Sequence, residues 1–148
     1  LCYLRGYYRD SAALYRKAIE LKPESIEARQ GLMLPLMAMK QWNQAALIAK
    51  DGLKLDGNNY VLKTQLARSL YSLGEFKAAA GIYLRLSSLY PSNISMKLGL
   101  AWCHVKTGRL IAAQTLFREI LSVRSSNRGA LAGLEATSGR MSALRSYR

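Results

Sequence analysis

The sequence predicts an all-α chain, a solenoid of antiparallel helix hairpins repeating every 34 residues. Three observations predict it. Turn-forming residues return at a fixed spacing, at Pro23, Gly57, Pro91 and Ser125. A second set, Gly6, Lys40, Gly74 and Gly108, keeps the same period, each two places before a bulky side chain (Tyr8, Trp42, Phe76, Leu110). Between these punctuation points apolar residues recur three and four apart, the spacing of one helix face. Such internal self-similarity decides the fold before any single motif does.

Taken in order, residues 1–25 form the end of one repeat, with Ser11, Tyr15 and Ala18 in the second-helix columns. The chain opens without Met, at Leu1-Cys2-Tyr3-Leu4, in what reads as the middle of a helix and hence as a piece of a longer protein. Residues 26–59 form a first full repeat, with Leu32, Trp42, Ala45, Ala49 and Gly52 in register. Pro35 falls inside its first helix, where proline costs about 3 kcal/mol and leaves the carbonyl of Gly31 without its donor. A kink or a late helix start is expected there.

Residues 60–93 carry the clearest repeat. Leu62, Leu66, Ala67, Leu70 and Leu73 mark one helix from Tyr60 to Leu73. Gly74 ends it, because glycine enters the left-handed conformation without steric cost. A second helix runs from Glu75 to Leu89 with Phe76, Ala79, Ala80, Tyr83 and Leu86 on one stripe, and Pro91 stops it. Ala79 and Ala113 are small where paired helices must approach closely. Residues 94–127 repeat the unit, with Leu100, Ala101, Gly108, Ala113, Phe117 and Ile120. Residues 128–148 begin another repeat at Leu134, then lose the columns. Met141, Leu144 and Arg148 share a helical face there, as a capping helix with a basic tail would. The whole of 1–148 reads as one repeat domain.

These columns resemble the tetratricopeptide repeat. The likeness is fullest in residues 60–93, through Leu66-Ala67, Gly74, Phe76, Ala79, Tyr83 and Pro91, departing only at Leu86. Residues 94–127 depart at Ser125, and residues 26–59 at Lys40 and Gly57. The resemblance implies a right-handed superhelical solenoid whose first helices line a concave groove that holds a peptide or an extended partner segment. By that resemblance the groove positions are Glu27, Gln30, Leu34, Met37 and Ala38, then Val61, Thr64, Arg68, Tyr71 and Ser72. In the last full repeat they are Ser95, Leu98, Trp102, Val105 and Lys106, with Tyr3 and Leu4 contributing from the first partial repeat. Leu34, Met37, Tyr71, Leu98, Trp102 and Val105 are apolar or aromatic, with Arg68 and Lys106 among them. That set suits a peptide with apolar side chains and an acidic group. The two-carboxylate clamp of some family members is not reproduced. Its positions hold Gln30, Leu34, Gln65, Ser95 and Gly99 in one register, and Thr64, Arg68, Gly99, Gly129 and Gly133 in the next.

Catalytic constellations are missing from the sequence. His104, the one histidine, shares a core-facing column with Leu36 and Leu70 and reads as a packed imidazole with one hydrogen-bond partner. Cys103 precedes it, and adjacent helical residues point about a hundred degrees apart, which does not make a nucleophile–base pair. Cys2 and Cys103 have no companions at metal-ligand spacing, so neither a metal nor a cofactor is expected. The glycines follow the repeat and not a phosphate-loop motif. An enzyme is not expected.

Lys and Arg total 22 against 9 Asp and Glu, a net charge of +13. From Tyr60 onward the balance is thirteen to three, against nine to six before it. The field therefore favours an acidic partner. The leading expectation is an interaction scaffold holding a protein or peptide in its groove. The alternative is an envelope domain of a polysaccharide export or biosynthesis system, binding the polymer or its machinery. Nothing resembles a nucleic-acid recognition helix or signature, which weighs against that partner. No apolar stretch reaches the roughly 20 residues that span a bilayer, and no signal peptide pattern is visible, leaving cytoplasm and periplasm both open. Exposed terminal repeats also permit self-association.

Overall fold

The computed structural model of the chain describes residues 2–146, with side chains from residue 4 to residue 145. The expectations for Leu1, for the side chains of Cys2 and Tyr3, and for Arg148 lie outside the described residues. The chain is all-α. Its helices are α1 (Cys2–Leu21), α2 (Ile26–Ala38), α3 (Trp42–Leu55), α4 (Tyr60–Ser72), α5 (Phe76–Leu89), α6 (Ile94–Lys106), α7 (Leu110–Val123) and α8 (Arg128–Ser146). They divide into two compact units, one on either side of the Gly74–Glu75 bond.

In the first unit α1 packs on α2, α2 on α3 and α3 on α4, and α2 also touches α4. Connections of three or four residues make successive helices antiparallel neighbours. The core is built from Leu32, Met33, Leu36, Ala45, Ala49, Leu62 and Ala67, all without solvent exposure. In the second unit α5 packs on α6, α6 on α7 and α7 on α8, with α6 against α8. Its centre is Phe117, clustered with Ala101, Val105, Ala113, Ile120 and Ala130. Ala113 is thus wedged against α6, as its small size required, and Ala79 is equally buried.

The helix ends follow from local chemistry. The side chains of Ser25 and Asn59 accept from the backbone N–H groups of Ala28 and Leu62 and cap α2 and α4. Asn127 does the same for Ala130 at the start of α8. These caps fall 34 residues apart or a multiple of it, a column whose signal was in the sequence, since Ser and Asn are strong N-caps. Gly74 and Gly108 have φ of +85° and +81°, and Lys40 in the same column has +59°. Gly6 departs from that column and lies inside α1, because one glycine costs a helix only about 1 kcal/mol and does not by itself break it.

Pro35 produces no late helix start. Helix α2 begins at Ile26 and runs to Ala38 with Pro35 buried inside it. The explanation lies in its column, Pro35, Ser69, Cys103 and Thr137, every member of which is buried. Ser69 and Thr137 donate their hydroxyls to the carbonyls four residues earlier, at Gln65 and Gly133. The position demands a compact side chain and already tolerates competition for that carbonyl, so proline fits. The segment expected as a capping helix is part of a single continuous helix, α8, in which Thr137 and Ala130 are fully buried.

Candidate partner-binding surfaces

The candidate binding residues lie on α2 and α4 in the first unit and on α6 in the second. On α2, Leu34 is 65% exposed, and Met37 is half-buried. On the neighbouring α4, Val61 and Arg68 are exposed and Tyr71 is half-buried. Arg68 has no ion-pair partner among the described residues. Gln30 of α2 donates to the Asn59 side chain that caps α4, which ties the N-terminal ends of the two helices together. The first unit therefore presents an apolar and cationic face on two fixed helices.

On α6 the expected residues separate. Lys106 is exposed. Trp102 is half-buried, its ring meeting Phe117 edge-on at 5.5 Å between centroids, so one side is held by the core while the other remains accessible. Leu98 is half-buried and lies over Gly129 of α8, where a Cβ would come within 2.8 Å of it. Val105, expected on the same face, is 1% exposed and belongs to the core around Phe117. Its position on the helix points between α7 and α8 and not outward, so it offers a partner no side chain. Arg140 of α8 donates to the Val105 carbonyl at 3.0 Å, closing over the end of α6. Arg140 stands 34 residues after Lys106, and continuing the same column into the tail would have singled it out.

Cys103 and His104 follow one another on α6 in different environments. Cys103 is fully buried, and burial pushes its thiol up to about 11. His104, expected as a packed imidazole with a hydrogen-bond partner, is only half-buried, and its side chain makes no hydrogen bond among the described residues. Partial burial, and then the charge of Arg109, hold its pKa below the usual histidine value. Among the described residues no three His, Cys, Asp or Glu side chains are placed to hold a metal ion. No helix among them is long and apolar enough to cross a membrane.

Solved structures with this arrangement are known. The TPR domain of Arabidopsis OM64 aligns over 79% of this chain and 97% of its own, at 20% identity and a TM-score of 0.71. A tetratricopeptide repeat protein from Parabacteroides merdae aligns over 89% of this chain and 53% of its own, at 16% identity and a TM-score of 0.78. The chain has the tetratricopeptide-repeat fold. MamA from Desulfovibrio magneticus covers 98% of this chain and 90% of its own at 12% identity, with a TM-score of 0.76, so the tetratricopeptide-repeat likeness extends along nearly the full length. No family model matches the sequence, and no curated protein is recognisably similar to it.

Proposed function

We propose that this chain is a non-catalytic interaction scaffold for a peptide or protein segment, with one candidate face on α2 and α4 of the first unit and another, separate one on α6 of the second. The tetratricopeptide-repeat fold supports the scaffold reading. The observation that carries the binding reading is Leu34, a large apolar side chain 65% exposed on a rigid helix, with Val61 and Arg68 exposed on its neighbour. Solvent-facing apolar side chains grouped with a free cation are the composition of a binding patch. Trp102 is a rigid anchor of the kind that dominates interfaces, because its ring is already fixed by Phe117 and loses little freedom on binding.

Random dodecapeptides displayed on phage and selected against the full chain supply the probe. The selected peptide is expected to contain an aromatic or aliphatic anchor beside an acidic residue. Leu34→Asp and Arg68→Ala alter only exposed side chains and should each weaken it, by roughly tenfold or more for Leu34→Asp. Tyr71→Ala should weaken peptides held by the first unit and Trp102→Ala those held by the second, while the helical circular dichroism is retained. Apolar anchoring should persist at about 0.5 M salt, whereas a polyanion would be released by returning counterions. Peptides that bind all these variants like the wild type would overturn the assignment.

A further inference from the structure

The second unit contains a cavity of about 520 Å³ that the repeat pattern does not require. Its floor is apolar, formed by Ala80 and Leu84 of α5 and Leu100 of α6. Its rim is basic, with Lys77, His104 and Arg109. The wall is missing at Gly81, where a Cβ would meet nothing within 4 Å.

Comparison along the repeat columns shows how specific this is. The three rim positions hold Arg9, Leu36 and Gln41 one repeat-pair earlier, then Asn43, Leu70 and Glu75, and finally Ile111, Ser138 and Ala143 after it. Three basic groups coincide only at Lys77, His104 and Arg109. The Gly81 column reads Ala13, Leu47, Gly81 and Thr115, so its smallest member falls where the basic groups fall. In the first unit the equivalent of His104 is Leu70, an apolar side chain that is 5% exposed. Four departures from the pattern thus converge on one hollow.

The cavity also faces away from the surface proposed above. Leu100 and His104 each follow a binding-face residue of α6, Leu98 and Trp102, by two places. At 100° per residue that is about 200° around the helix. Neither Lys77 nor Arg109 has an ion-pair partner among the described residues, and no carboxylate lines the hollow. A volume of several hundred cubic ångströms, apolar below and cationic above, is the size and chemistry of a small-ligand site.

We infer that this cavity is a second peptide-binding site, which takes an Asp or Glu side chain between Lys77 and Arg109 and the bulky apolar side chain next to it over Leu84 and Leu100. The carboxylate gains two charge-assisted hydrogen bonds from groups that are otherwise solvated. His104 lines the same rim and presents a ring nitrogen beside the carboxylate. The apolar neighbour removes Leu84, 56% exposed, from water. The inference goes beyond the groove reading and stands without it, since the residues do not overlap.

The test is a nitrogen-15 NMR titration of the full chain with N-acetyl-leucyl-glutamyl amide. Saturable shifts are expected at the amides of Gly81, Leu84, His104 and Arg109. N-acetyl-leucyl-glutaminyl amide, lacking the charge, and N-acetyl-seryl-glutamyl amide, lacking the apolar group, should each bind at least about tenfold more weakly. Lys77→Met with Arg109→Met should reduce binding at least about tenfold. Gly81→Leu, which places there the side chain that Leu47 carries in α3, should remove it with the fold intact, because leucine favours a helix more than glycine does. Tyr71→Ala with Trp102→Ala should leave this titration unchanged, which separates it from any failure of the groove. An equal response to the glutaminyl probe, inorganic phosphate binding as strongly as the dipeptide, no saturation by about 20 mM, or Gly81→Leu binding like the wild type would overturn the inference.

Discussion

The ring of Phe117 in α7 fills the space that a side chain on Gly133 of α8 would need, so closely that a Cβ there has no room. The same interlock joins Tyr15 of α1 to Gly31 of α2 and Tyr83 of α5 to Gly99 of α6, where a Cβ would lie 2.6 Å from the tyrosine ring. Each pair is 16 residues apart, and the pairs recur at multiples of 34. Aromatic and glycine are therefore one structural feature split between two helices.

Gly133→Ala is expected to destabilise the chain by about 2 kcal/mol, the usual cost of an extra methyl forced into a filled core. Gly81→Ala is the matched comparison, since open space surrounds its Cβ, and should stabilise by about 0.5–1 kcal/mol through helix propensity alone. Urea unfolding of the two variants checks both signs.

At the remaining junction the sizes are reversed, with Ala49 on α3 and Gln65 on α4. Ala49 is fully buried, and the Gln65 Oε1 atom is sealed from water without a hydrogen-bond partner. Ala49→Tyr and Gln65→Gly should each destabilise by roughly 2 kcal/mol, while the double variant, which recreates the tyrosine–glycine pair, should recover at least about 1 kcal/mol of the sum. Gln65→Met should be neutral or stabilising, because it removes an unsatisfied buried oxygen and keeps the volume. A double-mutant cycle by chemical denaturation reads the coupling.

Lys40 holds a φ of +59°, and the backbone N–H groups of Lys40 and Gln41 bond to Met37 and Leu36 as those of Gly108 and Arg109 bond to Val105 and His104. The turn geometry is thus the glycine one, imposed on a residue with a Cβ at a cost of roughly 1–2 kcal/mol. Lys40→Gly is expected to raise stability by about 1 kcal/mol, with part of the gain lost to the freer unfolded chain. Thermal melts of this variant beside Gly108→Lys, which should fall by a similar amount, test it.

His104 titrates below the ordinary histidine range, through burial and then Arg109, with Lys77 also facing the cavity it lines. A lowered folded-state pKa means that the unfolded chain binds more protons, so stability rises with pH through this group. Its contribution is complete above about pH 6.5, the unfolded value, and is lost as pH falls from there through the lower folded value. His104→Gln should show a shallower loss of melting temperature than the wild type between about pH 7 and pH 5.

Much of this architecture was legible in the sequence because punctuation and periodicity are local. Gly74, Gly108 and Pro91 act within one turn, and Ala113 must be small whatever surrounds it. Val105 departs from its expected face for a physical reason. Position in a repeat assigns a residue to a face, but how far neighbouring helices close over that face depends on partners elsewhere in the chain. Val105 lies buried beside Phe117 and Ala130, and Arg140 closes over its carbonyl from a segment whose columns had seemed lost. His104 shows the converse, since its column is buried at Leu36 and Leu70 but borders an open hollow beside Gly81. The continuous helix α8 was legible only in part, because its hold comes from Thr137, one member of a column visible once all four small residues are read together.

The reversed Ala49–Gln65 junction bears on how such an array changes by recombination. Excising residues 16–49 would bring Tyr15 against Gln65, two bulky groups competing for one space, and excising residues 50–83 would set Ala49 beside Gly99 and leave a void. Unequal crossing-over is therefore penalised at these two seams, whereas excising residues 84–117 would set Tyr83 against Gly133 and keep the interlock, so the seams differ although the modules have the same length.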